Sequence, residues 1–209
     1  DMNMLDIADK WILTRLNTMV GEVTGNLDAF DLNLAAQKIY DFIWTEFCDW
    51  YIEMSKPRLY GEDEAAKKNV RAILVRVLSD SMKLLHPFMP FITEEIYTHL
   101  PGSRETIMHA PWPHANEAFS FPTDSDAMDG IMELIRSIRN IRAEMNVPLG
   151  KRVAVTLVTR AENVPYCEAA EQYMIKLAGA SEVHVFTDKS TVSKDDVSVV
   201  CPLAEAFIP

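Results

Sequence analysis

Glycine is scarce in this sequence, with seven residues scattered through 209. None falls in a G-x-G-x-x-G or G-x-x-x-x-G-K-[ST] arrangement, so the backbone-amide cradle that such loops build for phosphate is excluded. The nucleophile elbow G-x-S-x-G and the zinc helix H-E-x-x-H are missing too, which leaves catalysis little to stand on. Cysteine is sparse as well: Cys48, Cys167 and Cys201 are odd in number and far apart, which argues against a disulfide framework and against a C-x-x-C zinc site. Free thiols and no metal are expected. Long apolar runs are absent, charge interrupting each one well before the ~18 to 20 residues that cross a bilayer. The N-terminus carries no basic-then-apolar signal pattern, and a cytoplasmic protein with no membrane partner is expected. The sequence opens at Asp1-Met2 and closes at Pro209 just after an apolar stretch, as a piece of a longer protein would.

Positive charge is also short, at 20 Lys and Arg against 31 Asp and Glu for a net charge of −11. Polyanion binding draws on clustered bases that release counterions, so bulk charge favours a protein partner over a nucleic acid. The deficit is uneven: residues 1–60 carry ten acids against five bases, residues 61–100 six against five. A local basic face can still hold RNA, because charges beyond roughly 8 to 10 Å are screened at physiological salt.

What is present is apolar content of 48%, eleven Met and a charged fraction of 24%, enough for one or two ordinary cores. No internal repeat or low-complexity tract occurs. Ile7, Trp11, Ile12, Leu16, Met19, Val20 and Val23 recur at three and four residues and predict a first amphipathic helix. A turn is expected at Gly25-Asn26, with Asp31 as cap of a second helix. Its stripe is Ala36, Ile39, Tyr40, Ile43, Phe47, Trp50, Tyr51 and Met54, stopped by Pro57. Glu62-Asp63-Glu64 opens a third helix striped by Val70, Ile73, Leu74, Val77, Leu78, Leu84 and Leu85 and ended by His86-Pro87. Phe91 to Leu100 predicts a short fourth, with Glu94 and Glu95 in its first turn.

Residues 101–125, with Pro101, Pro111, Pro113 and Pro122, predict an irregular crossover. A fifth helix follows, with Met128, Ile131, Ile135, Ile138 and Met145 on one face. Beyond Pro148 the period changes: Val153, Val155 and Leu157 alternate as a strand does, a helix is expected from Pro165 to Leu177, and β-branched runs lie at 183–186 and 197–200. The predicted fold is mainly α, an antiparallel helical bundle over 1–147 followed by a small α/β unit over 148–209.

The histidines, His86, His99, His109, His114 and His184, each have a plain structural explanation as helix-end or loop residues. Glu94 and Glu95, adjacent on a helix, point about 100° apart and do not form an acid/base pair. Arg136, Arg139 and Arg142 spread over an arc of about 120° and are candidate phosphate contacts, against a solvated face paired with Glu133. Lys67, Lys68, Arg71 and Arg76 form a second basic stretch, which Glu62 to Glu64 can neutralise. Lys10, Trp11 and Arg15 set a ring between two cations, a mixture that holds unstacked RNA bases, although a core Trp explains Trp11 equally well.

Five segments in order, DKWILTRLN at 9–17, FCDWYIEMSKPRLY at 47–60, KLLHPFMPFITEEIY at 83–97, APWP at 110–113 and RAEMNVPLGK at 142–151, resemble the class I aminoacyl-tRNA synthetases for Val, Ile, Leu and Met. The Cys-Asp-Trp-Tyr and Leu-Leu-His-Pro-Phe-Met-Pro-Phe steps are similar to the valyl members rather than the isoleucyl or leucyl ones. Met54-Ser55-Lys56 is not their K-M-S-K-S loop, since it ends a long helix. The resemblance implies a C-terminal anticodon-binding region without catalytic domain, HIGH and K-M-S-K-S motifs or coiled-coil arm. It implies a monomer that binds valine tRNA and works with the catalytic domain of the same longer chain. No catalytic residue and no cofactor are then expected here, ATP and Mg²⁺ being bound by the full enzyme. The residues expected to bind tRNA are Lys10, Trp11 and Arg15, which lie in a matching segment, with Arg71, Leu74 and Arg76, which lie outside the matching segments, if their two helices flank one groove. A helical protein-interaction scaffold, favoured by the acidic balance and the Met-rich faces, is the alternative from another class, and the same bundle from an isoleucyl or leucyl enzyme is a third reading.

Overall fold

The computed structural model describes residues 2–148, 150–193 and 196–209. Leu149, within the expected 142–151 segment, lies outside them. Contacts divide the chain into two compact units, Asp1–Ser125 and Asp126–Pro209. The change of periodicity at 147/148 and this division of contacts at 125/126 differ by about the length of the one helix between them, Pro122–Glu144.

In the first unit, α1 (Ile7–Asp28) opens on a capping box: Asp6 Oδ1 accepts from Asp9 N–H at 2.8 Å and Asp9 Oδ2 from Asp6 N–H at 3.2 Å. All seven residues of its predicted stripe are buried. The turn expected at Gly25-Asn26 is a correction, because α1 runs on to Asp28 and reverses at Ala29-Phe30, where Phe30 takes a left-handed φ of 62°. A helical Gly costs only about 1 kcal/mol, which packing against the next helix offsets. Asp31 stands at the next N-cap but makes no side-chain capping bond.

The second predicted helix is one continuous helical backbone of three pieces: α2 (Leu32–Asp41), a π-type stretch (Phe42–Ile52) and α3 (Glu53–Leu59). The buried ladder Ala35, Ile39, Phe42 resumes at Phe47, Trp50, Met54 after an interval of five, the hydrogen-bond step of the π turn. Hence Phe42 is buried and Tyr40, expected inside, is 59% exposed. Pro57 does not stop the helix where expected: it sits within α3, one short turn before the end at Leu59, where few downstream bonds remain to be lost.

Asp63 caps α4 (Glu64–Leu85), accepting from Ala65 and Ala66 N–H at 2.9 and 3.1 Å. His86 closes it, and His86 Nδ1 meets Thr93 Oγ1 at 2.7 Å across the corner into α5 (Pro90–Thr98). Because α5 starts at Pro90, Glu94 is not in its first turn as expected. Glu94 Oε2 instead accepts from Thr106 Oγ1 and Ile107 N–H, both at 3.1 Å, tying down the crossover. Further on, the crossover is fastened to α1: Phe121 N–H donates to Thr14 Oγ1 (2.9 Å), Asn17 exchanges two bonds with the Asn116 backbone (2.8 and 3.1 Å), and Trp112 Nε1 donates to Thr24 Oγ1 (3.0 Å).

The crossover ends sooner than expected, since Pro122 starts α6 (Pro122–Glu144), a position proline favours. In the second unit the Met128, Ile131, Leu134, Ile135 and Ile138 face of α6 is fully buried, whereas Met145, expected on it, lies past the helix end and is exposed. The sheet runs in the order β2-β1-β4-β3. β1 (Val153–Val158) is parallel to β2 (Ala180–Phe186) and antiparallel to β4 (Glu205–Ile208), which pairs antiparallel with β3 (Val197–Val200). Between β1 and β2 lie α7 (Val164–Ala169), α8 (Glu171–Tyr173) and a π-type turn (Met174–Ala178) closed by left-handed Gly179. Among the described residues no helix is long and apolar enough to cross a membrane.

Candidate nucleic-acid interface

The first unit carries an apolar groove of about 750 Å³ between α2 with its π-type continuation and the α4–α5 corner. Ile39, Ile43, Met82, Leu85 and Ile96 line it, with Tyr40 and Trp44 at one side, Met89 and Ile92 at the other, and the amides Asn33 and Gln37 toward the start of α2. Tyr40 and Trp44, 59% and 55% exposed, form a tilted ring pair with centroids 6.3 Å apart. Phe30, Leu32 and Leu34 at the α1–α2 turn and Phe91 on α5 are exposed as well, Phe30 to 86%. Single exposed apolar side chains are ordinary, but a concave run of this kind marks a binding surface. Chemically it offers ring faces for stacking and amides able both to donate to and accept from a base edge.

A second cavity of about 390 Å³ between α1 and α2 is polar, lined by Arg15, Thr18, Glu22, Lys38, Asp41 and Glu46 among others. Arg15 pairs with Glu46 and Lys38 with Glu22 (2.9 Å), so its charges are compensated internally.

The residues expected to hold RNA are dispersed. Lys10 binds Asp124 at 3.1 Å with its ammonium 5.8 Å from the Phe121 ring centroid. Trp11 is a correction: at 1% exposure its ring is core and offers no stacking face. Arg71 is exposed on α4, Leu74 is half-buried, and Arg76 lies 4.4 Å over the Phe119 ring and 3.9 Å from Asp80. None of these six lines the apolar groove, and Arg15 alone lines the polar cavity. In the second unit Arg136 is exposed, and Arg139 Nε donates to Leu177 O at 2.6 Å. Arg142, expected at phosphate, is 7% exposed and acts as a strut, donating to Gly179 O (3.2 Å) and Lys151 O (2.6 Å).

The sequence alone does not single out the groove, because Tyr40 falls in the predicted core stripe and the amides are unremarkable. The usable signal is that Tyr40 and Trp44, spaced i,i+4, fall on a face of their own beside the Ile39, Phe42 ladder.

The family described as the anticodon-binding domain of tRNA ligase matches residues 9–157. This chain belongs to that family. It is similar to the valine–tRNA ligase of Clostridium acetobutylicum, 48% identical over 209 residues, which is all of this chain and 24% of that protein. The corresponding ligase of Clostridium perfringens is 47% identical over the same span, and that of Bacillus subtilis 44% over 204 residues, 97% of this chain. The chain spans about a quarter of the length of these relatives.

In this anticodon-binding domain the segment Phe47 to Arg58 turns its aromatic residues into the core, while Tyr60 just beyond is exposed. Phe47 and Tyr51 stack with ring centroids 6.3 Å apart, and Trp50 and Met54 fill the core beside them. Tyr51 Oη donates to the fully buried carboxylate of Asp9 at 2.7 Å, and Arg58 grips the same carboxylate through Nη1 (2.6 Å) and Nη2 (2.7 Å). Burial, and then the Asp9 charge, pushes the Tyr51 phenol far above its ordinary range. Burial likewise raises the thiols of Cys48, Cys167 and Cys201, which keeps them protonated and unreactive at neutral pH.

Proposed function

We propose that this chain reads the anticodon loop of valine tRNA on behalf of a valine–tRNA ligase of which it is the anticodon-binding part. The observation that carries the reading is the groove of the first unit, where the exposed rings of Tyr40 and Trp44 adjoin the amides of Asn33 and Gln37. Single-stranded RNA is recognised by splaying bases onto such rings and reading their edges with side-chain hydrogen bonds. The sequence similarity to bacterial valine–tRNA ligases supports valine tRNA as the cargo, and the setting we propose is a monomeric, cytoplasmic enzyme.

Chemistry is assigned to the longer protein, whose catalytic domain would bind ATP, Mg²⁺ and valine. Among the described residues of this chain no group of three or more His, Cys, Asp or Glu is placed to hold a metal ion. The chain's part is to position the tRNA, which acts through orientation rather than bond making.

Stacking contributes about 1 to 3 kcal/mol per base by alanine substitution, or roughly 5- to 150-fold in affinity. Trp44→Ala is therefore expected to weaken binding of a valine tRNA transcript by that range and to reduce its preference over a transcript with a foreign anticodon. Unchanged preference for the valine anticodon in Trp44→Ala and Asn33→Ala would remove the groove from the reading. Preference of the unaltered chain for an isoleucine or leucine transcript would replace valine as the cargo. The groove's apolar lining also suits an amphipathic helix, and competition by protein with indifference to RNA would favour the scaffold reading.

A further inference from the structure

The second unit presents three guanidinium groups on one stretch of backbone. Arg139 Nε donates to Leu177 O (2.6 Å), Arg142 to Gly179 O (3.2 Å) and Lys151 O (2.6 Å), and one Nη of Arg152 reaches both Ile175 O (3.3 Å) and Ala180 O (3.2 Å). All these acceptors but Lys151 lie between Ile175 and Ala180, where the π-type turn ends at Gly179 and β2 begins. The cations thus converge on one short stretch of backbone, and charges closer than about one Debye length, roughly 8 to 10 Å, act on an approaching anion as one field.

Their partners set them apart from most bases of the first unit, Arg104 on the carbonyl of His109 being an exception. There, Lys10, Arg15, Lys38, Lys56, Arg58, Lys67, Arg76 and Lys83 each face a carboxylate. Among the described residues, Arg139, Arg142 and Arg152 are held instead by neutral carbonyls, so their positive charge is oriented but not cancelled. Arg142 is the buried strut, whereas Arg139 and Arg152 are exposed, with donors left over beyond those spent on the carbonyls. Residues 136–152 carry five bases, Arg136, Arg139, Arg142, Lys151 and Arg152, against the single acid Glu144. In a chain of net charge −11 this is an unusual concentration.

We infer that Arg139 and Arg152, set by the Arg142 strut, form a contact for the sugar–phosphate backbone of RNA, separate from the base-reading groove. The forked donors fit phosphate oxygens, and a contact of this kind positions the RNA without reading its sequence. The inference rests on the tRNA-binding reading above and adds a second, sequence-independent anchor to it. A purely structural role, capping carbonyls at a helix end where cations are favoured, is the rival account.

The two accounts part in a salt titration. Binding of the 209-residue chain to a valine tRNA transcript, followed by fluorescence anisotropy from 50 to 200 mM salt, gives the slope of log K against log[salt] for the unaltered chain, for Arg139→Gln/Arg152→Gln and for Arg139→Lys/Arg152→Lys. The Gln pair is expected to bind roughly tenfold more weakly at low salt and to lose about 1 to 2 from the slope, equally for valine and foreign anticodons. The Lys pair keeps the charge and is expected to keep the slope even if its melting temperature falls. A slope unchanged in the Gln pair, or lost equally in the Lys pair, overturns the inference. Groove variants change anticodon preference and leave the slope in place, so failure of the base-reading proposal is a different result. Absence of RNA binding by the unaltered chain ends both.

Discussion

Replacing Arg58 by Leu isolates the energetics that join α3 to the start of α1. Asp9 is fully buried and takes two guanidinium bonds, at 2.6 and 2.7 Å, and a phenol bond at 2.7 Å from Tyr51. Arg58 also lies 3.1 Å from Asp6, the cap of α1. Removing one partner of a buried ion pair leaves an uncompensated charge and costs about 3 to 5 kcal/mol. That is a large share of the 5 to 15 kcal/mol that stabilises an ordinary domain. Removing both charges in Asp9→Leu/Arg58→Leu is expected to recover part of the loss, because the desolvation cost disappears with the pair while the Tyr51 phenol loses its Asp9 acceptor. Urea unfolding at pH 7 by tryptophan fluorescence suits the test, since Trp11, Trp44, Trp50 and Trp112 all lie in the first unit. A loss below about 1 kcal/mol in Arg58→Leu, or a double variant no more stable than the single one, would refute the account of Asp9 as a buried charge that depends on its partner.

Tyr51 adds a pH dependence: its folded phenol stays protonated far above the ordinary value, so the stability it supplies is intact below about pH 10 and is lost as pH rises through the unfolded value. Above that point the loss attributable to this group approaches about 1.4 kcal/mol per pH unit, and Tyr51→Phe, compared by urea unfolding between pH 9 and 11, is expected to show a shallower decline. Gly179 has φ +70°, and a β-carbon there would lie 3.1 to 3.4 Å from the Arg142 guanidinium. Gly179→Ala is therefore expected to cost about 2 kcal/mol, combining the left-handed penalty with displacement of the strut, and calorimetry that found it neutral would contradict this geometry. The Trp44→Ala and Arg139/Arg152 variants described above complete the set by separating base reading from backbone holding.

Where periodicity alone decides a structure, the residues spoke plainly. The Ile7 to Val23 stripe of α1 and the helix opened by the acidic run Glu62 to Glu64 are local matters, and both stand as read. The family was legible for a related reason: Phe47, Trp50 and Tyr51 are large core residues whose order is tied to this one packing. What escaped was settled by partners distant in sequence. Nothing local tells that the π-type stretch shifts the ladder so that Phe42 goes in and Tyr40 stays out. Trp11 reads the same whether it faces core or solvent, and only tertiary packing places it inside. Arg142 looked like a phosphate ligand because an arginine on a helix is usually wet, but its acceptors at Lys151 and Gly179 exist only once the chain has turned back. β4, four residues without clear alternation at 205–208, becomes a strand because β1 and β3 give its backbone partners on both sides.

The fastening of the crossover bears on where this family can vary in length. From Thr106 onward the segment is held, first by Glu94 and then by Thr14, Asn17 and Thr24, side chains spaced along α1 like cleats on a rail. An inserted residue between 112 and 121 would put Trp112 or Phe121 out of step with its cleat and cost a hydrogen bond whichever side gave way. Between Pro101 and Glu105 the bonds are local, Ser103 to the carbonyls of Thr98 and Leu100 and Arg104 to that of His109, and none of them reaches α1. Evolution can therefore lengthen the chain there, and a tag or loop graft belongs at the same place.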